Sequence, residues 1–159
     1  PTPSPTPSPT PVPVLACLSS QLKAVITEVG GGMGSQFATV RVTNIASTTC
    51  FVRGTPRLQL VDGNGSILID SKAMGASGIA HTSPGDPKFK LATGTSIKTE
   101  VAISNYCGVI TPINPVTVAL ILPGGRGRFV AAPGPGAGVP ACMSDPGSLG
   151  SISMNGWRK

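Results

Sequence analysis

Apolar and polar residues alternate in short stretches along residues 15–159. A period of two places successive side chains on opposite faces of a strand. Residues 36–44 alternate cleanly, with Ala38, Val40 and Val42 predicted to face inward and Thr39, Arg41 and Thr43 outward. Residues 97–104 repeat the pattern, with Ile97, Val101 and Ile103 inward and Lys98, Glu100 and Ser104 outward. Residues 21–29 open with Leu22, Ala24 and Ile26, and 57–61 present Leu58 and Leu60. The run Asp62-Gly63-Asn64-Gly65 predicts a tight hairpin turn returning through 66–70. A loose, Gly-rich stretch is expected over 74–86, then a short strand at 88–91. Residues 116–122 are almost continuously apolar, as a central strand requires. Pro123-Gly124-Gly125 turns the chain into a strand over 126–131, residues 133–140 are too rich in Gly and Pro for regular structure, and 148–154 form a last strand. Eight or nine strands, spaced by about 8–12 residues, predict an all-β antiparallel sandwich without internal repeats.

The first residues obey a different rule. Residues 1–13 read Pro-Thr-Pro-Ser-Pro-Thr-Pro-Ser-Pro-Thr-Pro-Val-Pro. Proline fixes φ and disfavours helix at the residue before it, so an extended polyproline II segment is expected. At ~3.1 Å per residue it would reach roughly 40 Å. The organisation predicted is therefore a stalk or linker over 1–14 and a β-sandwich domain over 15–159. The stalk serves as a spacer with hydroxyls suited to O-linked sugar, or as an element that docks on a partner, including self-association.

Composition adds location. Gly 21 and Pro 17 favour turns over helices. Only 11% of residues are charged, a pattern associated with extracellular β-domains. The net charge of +6 is thinly spread, with Arg126 beside Arg128 and Arg158 beside Lys159 as its densest points. One Trp, one Tyr and four Phe are too few to interleave with a basic stripe, so nucleic acid is not expected as a partner. A solvated surface, with an anionic envelope as what it could attract, is the expected reading. Cys17, Cys50, Cys107 and Cys142 are widely spaced and contain no Cys-x-x-Cys, which favours two disulfides in an oxidising compartment over a metal or redox motif. Spacing alone leaves all three pairings open. The longest apolar run, 116–122, is far short of the ~20 residues of a transmembrane helix. The chain opens inside a repeat, so any signal or anchor is expected upstream of residue 1.

The candidate chemistry is thin, and neither a catalytic site, a metal nor a cofactor is expected. His81, Ser83 and Asp86 crowd into one Pro/Gly loop, where a triad's geometry is hard to reach. Of the carboxylates Glu28, Asp62, Asp70, Asp86, Glu100 and Asp145, three stand beside Gly or Pro and read as turn residues. Met33, Met74, Met143 and Met154 lack the close spacing of a soft-metal site. Gly30-Gly31-Gly32 lacks the helix and lysine of a phosphate loop and reads as a hairpin connection. Trp157 and Tyr106 are the strong candidates for a sugar-binding platform, with Trp157 alternatively packing the terminal strand, and Arg126 and Arg128 are candidate binding cations.

Asn44, Cys50, Gly54, Pro56, Asp62 and Gly65 follow the pattern N-x5-C-x3-G-x-P-x5-D-x2-G. Together with Cys17, Asn105-Tyr106-Cys107, Leu122-Pro123 and Cys142 they resemble a secreted bacterial domain known as domain of unknown function 4232. The stretch 72–87, the 133–140 loop and Ala92-Thr93-Gly94 depart from that pattern. The resemblance implies an immunoglobulin-like sandwich of surface proteins and lipoproteins, the pairs Cys17–Cys50 and Cys107–Cys142, and no functional residues. The function expected is a non-enzymatic extracellular binding or structural module displayed at a bacterial surface. A subunit of a surface assembly docking through residues 1–13, and a carbohydrate or cell-wall binder, are the alternatives.

Overall fold

Eleven strands in two sheets make up the computed structural model, which describes residues 11–32, 35–104, 113–135 and 150–159. The described residues contain no α-helix, and the fold is all-β. At its centre lie β2 (Leu22–Gly32), β3 (Ser35–Asn44) and β8 (Ser96–Ser104), antiparallel neighbours in register from Val42↔Ile97 to Ala38↔Val101. Ala38, Val40, Val42, Ile97, Val101 and Ile103 are all buried. The alternation in the sequence is therefore the alternation of the sheet, except that Thr39, expected to face outward, is buried between its neighbours Glu28 and Glu100. A bulge between Ile26 and Glu28 takes Thr27 out of register while the strand continues.

The large sheet has the order β11-β8-β3-β2-β10-β9-β5-β6, with β5 (Arg57–Val61), β6 (Ile67–Asp70), β9 (Thr117–Ile121), β10 (Arg128–Pro133) and β11 (Ser151–Met154). Its pivot is β10. Arg128 to Val130 pair antiparallel with β9, and Ala131 to Pro133 pair parallel with β2. A strand that changes partners midway turns a sheet into two packed faces. Accordingly β11, at one end of the order, lies against β5 and β6 at the other, and the Ile152 amide donates to Met74 Sδ at 3.4 Å. Leu58, Leu60, Val118, Leu120, Ala131 and Ile152 fill the enclosed core. The expected central strand is β9: residues 116–120 are buried throughout.

A second, three-stranded sheet has the order β1-β4-β7, from β1 (Leu15–Ala16), β4 (Cys50–Val52) and β7 (Phe89–Leu91). Cys17 and Cys50 form a disulfide that staples the end of β1 to β4. This is one of the two pairs the resemblance implied. Cys107 and Cys142 lie outside the described residues, as does Tyr106.

Three further local expectations need correction. The strands β1 and β4 were not anticipated, because two or three residues are too few to show a period. The stretch expected to be loose over 74–86 contains ordered structure. Two 3-10 turns, Ser71–Met74 and Ala76–Gly78, are held by buried Ser71, which accepts from the Leu58 amide at 2.9 Å and donates to the Gly78 carbonyl at 2.5 Å. Gly30, Gly31 and Gly32 belong to β2 itself, paired with Phe37, Gln36 and Ser35. By contrast, the expected tight turn at 62–65 is present: the Gly65 amide donates to the Asp62 carbonyl at 2.9 Å, Gly65 takes φ +81°, and the Asp62 carboxylate accepts from the amides of Asn64 and Ser66.

Candidate functional site: a basic face around Phe51

The motif residues account for themselves structurally. Asn44 is wholly buried at the edge of the core. Its amide donates to the carbonyls of Thr48 at 2.8 Å and Leu91 at 2.9 Å, and its Oδ1 accepts from the Ala46 amide at 3.0 Å. Gly54 has φ +78°, a Cβ there would lie 2.4 Å from the His81 carbonyl oxygen, and its own carbonyl accepts from the Trp157 indole at 2.8 Å. Pro56 is buried. Asp62 accepts from the amides of Asn64, Ser66 and Ile113. Burial pushes its carboxyl up, but the amide donors of Ser66, Ile113 and Asn64 outweigh that and hold it below the ordinary range. These residues fasten loops and present nothing to a ligand.

The candidate catalytic groups are likewise engaged by the backbone. His81 pairs with Thr55 through backbone bonds, and its Nδ1 lies 2.9 Å from the Ile79 carbonyl. Asp86 accepts from the Ser83 amide at 2.6 Å, so its carboxylate caps the turn between them. Asp70 takes the Arg57 guanidinium in a two-point ion pair, accepts from Gln59 at 3.0 Å and caps the turn at Lys72. The Arg57 bond, foremost among these, depresses its pKa far below the usual range. Glu28 and Glu100 lie either side of Thr39 in one row of the sheet, with Glu100 accepting from Asn155 at 2.9 Å. Among the described residues no cluster of His, Cys, Asp and Glu could hold a metal. Asp145, Met33 and Met143 lie outside them.

Trp157 is 9% exposed and packs into the core, its indole N–H spent on Gly54. It offers no open ring face to a sugar. Arg128 is drawn to the sheet by a 3.0 Å bond from Nε to Gln59.

What the fold assembles instead is a patch of cations around Phe51 on β4. One hollow beside it is lined by Arg53, Thr82, Leu122 and Arg126. A second, on its other side, is lined by Val12, Val14, Lys88, Lys90 and Lys159. Lys88 Nζ stands 5.1 Å above the Phe51 ring, within cation–π range. Neither lining includes an Asp or Glu side chain, and the ion pair that the described acids do form, Arg57–Asp70, is elsewhere. Sequence reasoning found Arg126 and Lys159 as separate basic points but missed Arg53, Lys88 and Lys90. They come from separate segments, and only the pairing of β4 with β7, which sets Phe51 opposite Lys90, brings them together. No charge run in the sequence could have signalled that.

Residues 17–150 match the family described as Domain of unknown function (DUF4232). No curated protein and no solved structure matches the chain.

Proposed function

The chain belongs to the DUF4232 family, and from that premise we propose that it is a non-enzymatic extracellular binding module, displayed at a bacterial surface on its Pro-rich segment, which engages an anionic component of the envelope. The observation that carries this reading is the patch around Phe51, where five cationic side chains converge with no Asp or Glu among the lining residues. Clustered like charges repel one another, and a partner of opposite sign relieves that cost. The Cys17–Cys50 disulfide supports an oxidising compartment. The non-enzymatic part is supported by the backbone duties of His81, Asp62 and Asp86. The change of partners along β10 supports an immunoglobulin-like reading of the two packed faces.

Retention of the whole chain on immobilised poly(glycerol phosphate), compared with neutral dextran, tests the proposal. The phosphate polymer alone should retain the protein, and Lys88→Gln with Lys90→Gln should release it at lower salt. Equal retention on both matrices, or indifference to the two substitutions, would overturn it.

One observation favours a second reading. Val12 and Val14, the root of the Pro-rich segment, line the hollow formed by Lys88, Lys90 and Lys159. Val14 is half-buried there while Val12 is already largely exposed, so the segment leaves the domain beside this hollow, a position suited to docking on a neighbouring copy in an assembly. Light scattering on the full chain and on one lacking residues 1–13 separates the two. Loss of assembly on truncation supports docking between copies, whereas two monomers leave the segment as a spacer.

A further inference from the structure

Within the basic patch, the hollow between Arg53 and Arg126 has the character of a built site. It encloses about 250 Å³, with Val52, Leu122 and Pro123 as apolar walls and Thr82 as a further polar group. Neither guanidinium is free to swing. Arg53 Nη2 donates to the carbonyls of Ser83 at 2.7 Å and Pro84 at 2.8 Å. Arg126 Nη1 donates to the Ala16 carbonyl at 3.1 Å, and the carbonyl of Arg126 accepts from the Ser19 amide at 2.8 Å. The loop carrying Arg126 is closed by a 2.9 Å bond from the Leu122 amide to Gly127. Thus both side chains are oriented before any ligand arrives.

All of these acceptors are neutral carbonyls, and among the described residues neither guanidinium forms an ion pair with a carboxylate. Arg53 Nε is in addition buried without a hydrogen-bond partner. A buried N–H short of an acceptor is costly, and a charge-assisted bond to an oxyanion offsets that cost. The forked donors of arginine suit the paired oxygens of a carboxylate or phosphate. At about 250 Å³ the hollow lies below the ~300–1,000 Å³ typical of a whole small-molecule site. It therefore fits an end group better than a complete ligand.

We propose that the hollow between Arg53 and Arg126 is a specific oxyanion pocket, taking a phosphate or carboxylate group borne on a small apolar body. The proposal rests on the binding-module reading and names the chemistry that one part of the patch selects.

Titration of the ¹⁵N-labelled full chain with sodium phosphate, and separately with sodium acetate, against chloride at matched ionic strength is the test. Saturable shifts are expected at the amides and guanidinium groups of Arg53, Thr82 and Arg126, and the anion that saturates first identifies the source. Arg126→Gln should weaken binding about tenfold, while Lys72→Gln, at an exposed lysine outside both hollows, should leave it unchanged. Because Arg53 is tied into the 81–86 loop, Thr82→Val on an exposed position provides the second variant, with a loss of about two- to threefold. Shifts that remain linear with both anions, or saturation that Arg126→Gln does not weaken, would overturn the pocket. If saturation fails but retention on the polymer persists, the pocket falls and the broader reading stands. If the polymer is not retained but phosphate still saturates in an Arg126-dependent manner, the pocket stands alone.

Discussion

The side-chain amide of Asn44 bonds three backbone groups from a position that is 0% exposed. Truncation would orphan the Thr48 and Leu91 carbonyls and the Ala46 amide together. Asn44→Ala is therefore expected to cost about 2–4 kcal/mol, read from the urea midpoint; a loss near zero would show that water replaces the amide. Asp70 supplies a pH signature. Its folded pKa is depressed, chiefly by the hydrogen bond from Arg57, so its contribution to stability is complete above the unfolded value of ~3.9 and is lost as pH falls from there toward the lower folded value. Thermal scans from neutral to strongly acid pH should show an acid loss that Asp70→Asn makes shallower. Equal slopes would remove Asp70 from the explanation. At this scale the sequence was partly legible. The spacing from Asn44 to Gly65 marked which residues mattered, but not that each fastens a loop, because their partners lie up to 103 positions away, as for Gly54 and Trp157.

Among the elements, alternation was the dependable signal. The inward residues expected of β3 and β8 are buried, joined by Asn44 and Thr99 on the same phase and by Thr39 against it, and the apolar run at 116–122 surrounds an interior strand. What escaped was short or held by side chains: β1 and β4, and the turns closed by Ser71. Nor does alternation reveal what stands beside what across strands. Lys98 on β8 is paired with Arg41 on β3 on one side and bridged to Arg158 on the other, and all three are exposed. Like charges directly opposite one another destabilise a sheet. Lys98→Glu, between two arginines, is accordingly expected to stabilise the protein by about 0.5–1 kcal/mol in urea. Unchanged or lowered stability would contradict repulsion along this row.

For the whole molecule, the small sheet is the part that depends on covalent help. The disulfide closes a loop with a sequence separation of 33, worth about 3–4 kcal/mol in the chain-entropy description. Cys17→Ala with Cys50→Ala should lower stability by about that amount and loosen the patch, since Cys17 lines the hollow beside Arg53 and Arg126. Wild-type stability in the double variant would contradict this dependence. The candidate site was the least legible feature of the chain. The excess of cations could be counted, but their convergence on Phe51 is a product of tertiary pairing, and Trp157, the residue composition singled out, is spent on the core.

The affinity of the intact chain for poly(glycerol phosphate), measured calorimetrically at two ionic strengths, bears most directly on the proposed function. Binding is expected at low salt and should weaken strongly as the Debye length contracts from ~30 Å at 0.01 M to ~8 Å at 0.15 M. Absence of binding at low salt, or an affinity indifferent to salt, would contradict an anion-binding role for the face around Phe51.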